Sequence, residues 1–134
     1  MERTLYNSDG YAVAYITDDY HGTVYMWDGN PVAYLYDDEH IYGINGRHLG
    51  WFIDEILYDN NGARIGFTTN TCPVPVAKQS TKTEKMARDE IRPRWAAPPR
   101  PKLGFDFGKQ DLSDLLRQGQ VIRLSKEESS EAPA

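Results

Sequence analysis

Leu5–Ile16 reads LYNSDGYAVAYI, and three further segments repeat its pattern: Val24–Leu35 (VYMWDGNPVAYL), Ile41–Phe52 (IYGINGRHLGWF) and Leu57–Thr68 (LYDNNGARIGFT). Each copy has twelve residues: aliphatic, Tyr, two variable, Asp or Asn, Gly, two variable, aliphatic, Ala or Gly, aromatic, and a last position that is usually apolar. Successive copies begin 19, 17 and 16 residues apart. A propeller blade of four strands needs about 40 residues, so this unit is long enough for a β-hairpin but not for a blade.

Every copy centres on Asp-Gly or Asn-Gly: Asp9-Gly10, Asp28-Gly29, Asn45-Gly46 and Asn61-Gly62. These dipeptides suit a two-residue type I′ turn, in which both central residues have positive φ. The flanking Tyr, Val, Ile, Leu and Trp residues favour strands. The sequence therefore predicts an all-β fold of four tandem hairpins, closed or nearly closed, with pseudo-four-fold symmetry.

If each loop has two residues, the strand register also follows, because directly opposed residues share a face. A bulged loop would swap the two faces. In the first copy Tyr6 would pair with Val13, and Leu5 with Ala14. One face then carries the aromatic residues together with an aliphatic residue of each copy: Tyr6/Val13/Tyr15, Tyr25/Val32/Tyr34, Tyr42/Leu49/Trp51 and Tyr58/Ile65/Phe67. The other face sets an aliphatic residue opposite a small one, and we expect it to point towards the common axis: Leu5/Ala14, Val24/Ala33, Ile41/Gly50 and Leu57/Gly66.

The third and fourth copies, with the run GRHLGWF within Ile41–Phe52, resemble the four-fold β-flower family of uncharacterised bacterial proteins. The resemblance covers about residues 4–72. It implies four hairpins around a pseudo-four-fold axis. It implies no activity, cofactor or site.

Composition divides the 134-residue chain unevenly, since thirteen of its sixteen aromatic residues precede residue 73. We therefore expect the core in a repeat domain spanning 1–72. A domain this small buries only about 60% of the surface of its unfolded chain. Cys72 is the only cysteine, so no disulfide within the chain can add stability. A single cysteine and the absence of an apolar leader after Met1 favour a cytoplasmic location.

Residues 73–102 contain six prolines, eight basic side chains and three acidic ones, and predict a basic, extended tether. Within it, Thr81–Ile91 has the composition of a short helix. Residues 103–124 are expected to contain an apolar patch, a helix capped by Asp111 or Ser113 and ending at Gly119, and a possible strand at Gln120–Leu124. Residues 125–134 predict a disordered acidic tail.

Apolar side chains within 103–124 suggest two uses. They dock on the hairpin domain of the same chain or of a second copy, or they form a recognition segment for another protein. The residues concerned are Phe105, Phe107, Leu112, Leu115 and Leu116. The sequence contains no recognisable catalytic constellation, so we expect a non-enzymatic interaction or adaptor module that needs no cofactor. Nucleic acid is an unfavourable partner, because the first 72 residues carry eleven acidic and three basic side chains.

Two other functions stay open. Trp27, Arg47 and Trp51 near the hairpin tips could bind a small ligand or a glycan, although aromatic packing between hairpins is the more common reason for such residues. His21 and His40, beside the acidic turns Asp18-Asp19 and Asp37-Asp38-Glu39, could serve a hydrolase-like enzyme. We assign no metal ligand, since the spacing of these carboxylates matches no known cation loop.

Overall fold

The structure is a computed structural model that describes residues 2–121. Eight antiparallel strands form a closed barrel in which each strand pairs with the next, and the last returns to the first through Tyr6 and Phe67. The strands are β1 (Arg3–Tyr6), β2 (Ala12–Ile16), β3 (Thr23–Met26), β4 (Pro31–Tyr36), β5 (His40–Gly43), β6 (His48–Ile53), β7 (Ile56–Tyr58) and β8 (Arg64–Phe67), and one helix follows, α1 (Leu112–Arg117). The predicted four-hairpin fold is confirmed.

The hairpin loops differ from the predicted type I′ turns. In the first, the Asn7 amide donates to the Tyr11 carbonyl at 3.0 Å and the Gly10 amide to the Asn7 carbonyl at 3.0 Å, which closes a loop of three residues. Only the glycine has positive φ, +84° at Gly10. This is a type I turn followed by a left-handed glycine, the next most common hairpin loop. The other three copies have the same pair of hydrogen bonds.

The extra loop residue produces a β-bulge in each hairpin. Leu5 still pairs with Ala14, as predicted, but Tyr6 pairs with Ala12 and leaves Val13 without a partner. The prediction that the aliphatic residues at this position lie on the aromatic face is wrong, because each bulged residue packs into the axial core. These residues are Val13, Val32, Leu49 and Ile65.

The core lies on the barrel axis. The predicted pairs of an aliphatic and a small residue are confirmed in all four hairpins. Of their members, the aliphatic residues and both alanines belong to the main buried cluster: Leu5, Ala14, Val24, Ala33, Ile41 and Leu57. Small residues opposite large ones leave room for four hairpins to meet. The tyrosines face outwards between neighbouring hairpins, and the rings of Tyr15 and Tyr25 stack with centroids 5.8 Å apart.

Type I′ geometry occurs instead in two of the turns that connect hairpins. Asp37 and Asp38 have φ values of +53° and +60°, and Asp54 and Glu55 have +51° and +64°. Aspartate tolerates this conformation better than most residues, but glutamate has no such preference. Glu55 is held by its neighbours, since its carboxylate accepts hydrogen bonds from Thr68 Oγ1 and Asn70 Nδ2, each at 3.0 Å.

The segment from Pro75 to Gly108, called the belt below, runs across all four hairpin tips in order. The glycine carbonyl of each tip accepts a hydrogen bond from a belt amide, and the four donors are nine residues apart: Ala77, Met86, Trp95 and Gly104. Two residues before each donor, a belt carbonyl lies against the glycine. A Cβ placed on Gly10, Gly29, Gly46 or Gly62 would be 2.1–2.7 Å from that oxygen. Glycine is therefore needed at the tips for close backbone approach as well as for positive φ.

After the belt, α1 closes the barrel at the same end. Its buried side chains Leu112, Leu115 and Leu116 join the axial cluster. The helix begins after Asp111, as predicted, although that side chain makes no capping hydrogen bond. The Asn45 amide donates to the Gly119 carbonyl at 3.1 Å, which fixes the end of the helix to the third hairpin tip.

Three predictions for the C-terminal part have other outcomes. The helix predicted within Thr81–Ile91 is wrong, because this stretch is extended belt without regular secondary structure. The predicted strand at Gln120–Leu124 lies mostly outside the described residues, and the disordered tail 125–134 lies entirely outside them. No helix among residues 2–121 combines the length and apolar character required to cross a bilayer.

Candidate functional site

All three histidines lie along one strip of aromatic side chains on the outer wall. His21 contacts Tyr34 edge to face with ring centroids 6.4 Å apart, and Tyr34 stacks on Tyr42 at 6.1 Å. Tyr42 in turn contacts His48 at 4.9 Å. Strands β4, β5 and β6 position the rings of Tyr34, Tyr42 and His48, because alternate residues on neighbouring strands point outwards together, and the turn before β3 positions His21.

His40 and His48 form a hydrogen-bonded pair on β5 and β6. His40 Nδ1 lies 3.0 Å from His48 Nε2, and His48 Nδ1 lies 3.0 Å from Asn60 Oδ1. Asn60 Nδ2 donates to the His48 carbonyl at 3.0 Å, so the amide oxygen faces the ring as an acceptor. His48 must therefore carry its proton on Nδ1, and His40 Nδ1 donates to Nε2 of neutral His48.

The surroundings of His48 keep it neutral. Burial lowers the pKa of His48 from its usual 6.5 to about 4, against the opposing effect of the hydrogen bond to Asn60. Trp51 packs on both imidazoles, with ring centroids 4.6 Å from His40 and 4.9 Å from His48. The Trp51 indole N–H is buried without a hydrogen-bond partner among residues 2–121. The His40–His48 pair is consequently a packed part of the barrel wall. Its most accessible ring nitrogen is His40 Nε2, which lies 4.0 Å from a Glu39 carboxylate oxygen.

A groove of about 470 Å³ opens beside this strip, between the second hairpin and the belt. Its walls come from the turn before β3, from β4 and from the belt: Tyr20, His21, Tyr34, Leu35, Tyr36, Asp37, Ile91 and Arg94. The Arg94 guanidinium lies 3.8 Å above the Tyr36 ring and donates to the Tyr34 hydroxyl at 3.3 Å. The hydrogen bond to Tyr34 raises the pKa of Arg94, so a fixed positive charge faces aromatic walls.

A second groove of about 390 Å³ lies beside Tyr15, between the first and second hairpins, and contains its own ion pairs. Lys82 and Lys85 reach down from the belt to the carboxylate of Glu2, with Lys85 Nζ 2.8 Å from Oε2. The hydrogen bonds from Lys82 and Lys85 lower the pKa of Glu2. Both cations of this groove thus have an anionic partner within the chain, the shared carboxylate of Glu2.

The structure separates the three residues predicted to bind a ligand at the hairpin tips. Trp27 donates its indole N–H to the Ser80 carbonyl at 3.2 Å. The Arg47 guanidinium lies 5.7 Å above the Trp95 ring, and Trp51 is buried against the two histidines. Each residue has different neighbours, and two of them hold the belt. Their predicted role in ligand binding gains no support from this arrangement.

The five residues predicted to bind a partner fall into two groups. Leu112, Leu115 and Leu116 are buried in the axial core of their own chain. This arrangement is the first of the two predicted uses, docking on the hairpin domain of the same chain. Phe105 and Phe107 remain at the surface. A recognition role stays a prediction for these two phenylalanines and is revised for the three leucines.

The acidic turns lie at the opposite end of the barrel from the belt and helix. Among residues 2–121, no three His, Cys, Asp or Glu side chains come close enough together to hold a metal ion. His40 contacts His48 and not His21, so the pair considered for hydrolytic chemistry is not assembled. The Cys72 thiol is partly buried and lies 3.6 Å from the Asn7 carbonyl.

In a comparison with protein families, the profile of the "4-fold beta flower protein" family aligns with residues 3–116. The chain belongs to the four-fold β-flower family. The family match extends beyond the hairpins through the belt and most of α1. The hairpin repeats that carry the resemblance in the sequence cover only about residues 4–72. No curated protein and no solved structure matches the chain.

Sequence reasoning missed the groove and Arg94 because the belt has no recognisable side-chain repeat. In the structure, the nine-residue interval of the backbone contacts gives Lys85 and Arg94 equivalent positions, but no side-chain pattern in the sequence marks that interval. Both cations reach from those positions onto tyrosines of the barrel wall.

Proposed function

We propose that this β-flower protein is a non-enzymatic interaction module that binds another protein through Phe105 and Phe107. One observation carries the proposal: Phe105 is 84% exposed and Phe107 is 52% exposed, although the backbone between them is fixed. Exposed apolar side chains grouped on one surface are typical of interaction sites.

The fixed backbone favours binding. Gly104 donates to the Gly62 carbonyl at 3.0 Å, Arg64 to the Asp106 carbonyl at 2.8 Å, and Gly108 to the Arg64 carbonyl at 2.9 Å. This segment would therefore lose little conformational entropy on association. The Arg64 guanidinium lies 4.7 Å above the Phe105 ring and supports it from one side.

Charge around the two rings indicates the kind of partner. Lys102, Arg64 and Lys109 lie near them in the chain or in space, and the segment 73–102 carries eight basic and three acidic side chains. The partner we expect is a protein with an apolar pocket rimmed by acidic side chains. A second copy of the chain is the alternative, because the acidic connecting turns offer a similar charge.

Affinity capture from host lysate with the double variant Phe105→Ser/Phe107→Ser tests the proposal against two controls. The wild-type chain is the positive control, and Tyr11→Ser, which removes a 61% exposed aromatic side chain elsewhere, is the matched one. A protein retained by wild type and Tyr11→Ser but lost with the double variant supports the proposal. Equal retention by all three chains contradicts it. Light scattering over a concentration series separates a second copy from a different protein.

A truncation at Cys72 is unsuitable for this test. It removes Leu112, Leu115 and Leu116 from the core, together with the belt that joins the hairpin tips. Loss of binding by that fragment would report an unfolded barrel as readily as a missing site.

A further inference from the structure

The groove beside Arg94 and the groove beside Lys85 occupy equivalent positions, because the hairpins repeat the twelve-residue pattern and the belt repeats its contacts every nine residues. Tyr15 and Tyr34 occupy the same position of the twelve-residue hairpin repeat. Lys85 and Arg94 are nine residues apart, as are the belt amides that bind the tips. Each groove therefore has a tyrosine wall from the barrel and a cation from the belt, so their differences are informative.

The decisive difference is the residue three positions before each hairpin copy. In the first copy this residue is Glu2, which pairs with Lys82 and Lys85. In the second copy it is His21, which lines the Arg94 groove. The carboxylate that pairs with the cations of one groove is thus replaced by an imidazole in the other.

Arg94 is consequently left without an anionic partner. Within the described chain, no carboxylate lies within the 4.0 Å of an ion pair from its guanidinium, and its polar contact is the neutral hydroxyl of Tyr34. Asp37 also lines the groove but lies beyond that distance. A guanidinium fixed by stacking on Tyr36 presents planar N–H donors that match the two oxygens of a carboxylate.

The remaining walls select the body of a ligand. Tyr20 and Tyr34 offer aromatic faces, and Leu35 and Ile91 add aliphatic surface. Tyr20 is 97% exposed and packs edge to face on His21 with centroids 5.0 Å apart, which sets it at the mouth of the groove. Mostly apolar concave walls with a small number of oriented polar groups, here Arg94, His21 and Asp37, are the usual form of a small-molecule site.

We propose that this groove binds a small aromatic carboxylate, with its carboxylate on Arg94 and its ring between Tyr20 and Tyr34. The ligand supplies the negative charge that Glu2 supplies in the equivalent groove. The site is separate from Phe105 and Phe107, so it does not depend on the protein-binding function proposed above.

Calorimetric titration of the full chain with phenylacetate tests the site, and phenylacetamide and acetate are the matched probes. Phenylacetamide keeps the ring without the charge, and acetate keeps the charge without the ring. We expect phenylacetate to bind in the millimolar range that is usual for so small a ligand, and each matched probe to bind about tenfold more weakly or not at all. Absence of phenylacetate binding, or equal binding of either matched probe, would overturn the proposal.

Three variants locate the binding. Arg94→Gln removes the charge and should weaken phenylacetate about tenfold or more. His21→Glu restores at the second hairpin the carboxylate of Glu2, and should block the groove through an internal ion pair with Arg94. Arg100→Gln removes an exposed belt arginine outside the groove and should leave binding unchanged. Unchanged melting temperatures verify folding, and a variant pattern in which Arg100→Gln weakens binding as much as Arg94→Gln would refute the assignment.

Discussion

Replacing Gly46 with alanine is the sharpest test of how the belt is fixed. Gly46 has φ of +96°, and a Cβ there would be 2.2 Å from the Pro93 carbonyl oxygen. Backbone cannot yield as easily as the end of a flexible side chain, so the belt must move away from the third hairpin tip. Two belt hydrogen bonds at this tip are then lost: Trp95 to the Gly46 carbonyl at 2.8 Å and Arg92 to the Ile44 carbonyl at 2.9 Å.

The expected cost has two parts. An L-residue in the left-handed region costs about 1–2 kcal/mol. Each lost hydrogen bond adds about 0.5–1.5 kcal/mol. Gly46→Ala should therefore lower the free energy of unfolding by about 2–5 kcal/mol.

Gly22→Ala is the control, because Gly22 has a positive φ of +64° but no belt contact. A Cβ there would meet the Leu35 Cβ at 3.2 Å, so this substitution should cost only the conformational strain of about 1–2 kcal/mol. Urea unfolding measures both values, and trypsin cleavage after Arg94 reports release of the belt. Equal destabilisation by the two substitutions, with no faster cleavage in Gly46→Ala, would refute the reasoning.

Three further predictions concern helix α1, the histidine pair and a connecting turn. Leu116→Ala should destabilise the barrel by about 2–5 kcal/mol in urea unfolding, because Leu116 is fully buried in the axial core. A loss of unfolding free energy below about 1 kcal/mol would contradict a structural role of α1 in closing the barrel. The unfolded chain protonates His48 near pH 6.5 whereas the folded chain does so near pH 4, so folding stability should fall as pH decreases between these values. His48→Gln should reduce this dependence, and an identical loss from pH 7 to pH 5 in both proteins would argue against it. Asp38→Gly should raise stability by about 0.5–1 kcal/mol, since φ is +60° there and Asp-Gly suits a type I′ turn; a lower melting temperature would be the opposite result.

Much of the barrel could be predicted from sequence because side chains specify it. The aliphatic residue and the small residue of each repeat, such as Leu5 and Ala14, pair as predicted since only that combination fits four hairpins around one axis. The loop type was mispredicted because Asp-Gly and Asn-Gly are compatible with both two-residue and three-residue loops. That one extra residue is what carries Val13 from the aromatic face to the core.

The belt could not be predicted from its side chains, since backbone groups make its regular contacts. Ala77, Met86, Trp95 and Gly104 perform the same hydrogen bonding although their side chains have nothing in common. The glycines that receive the belt were already explained by the hairpin loops, so their second role left no separate signal. The groove beside Arg94 could not be predicted for the same reason, because the belt brings Arg94 to the barrel wall.

Native-state amide hydrogen exchange of Ala77, Met86, Trp95 and Gly104 tests the central claim most directly, namely that the C-terminal segment is a structural part of the barrel. These amides are hydrogen-bonded to the four tip glycines. If the segment is a structural part of the barrel, all four amides are protected from exchange to a degree comparable with the barrel strands, and they become exposed together. Exchange of these four amides at the rate of an unfolded chain, while the strands remain protected, would contradict it.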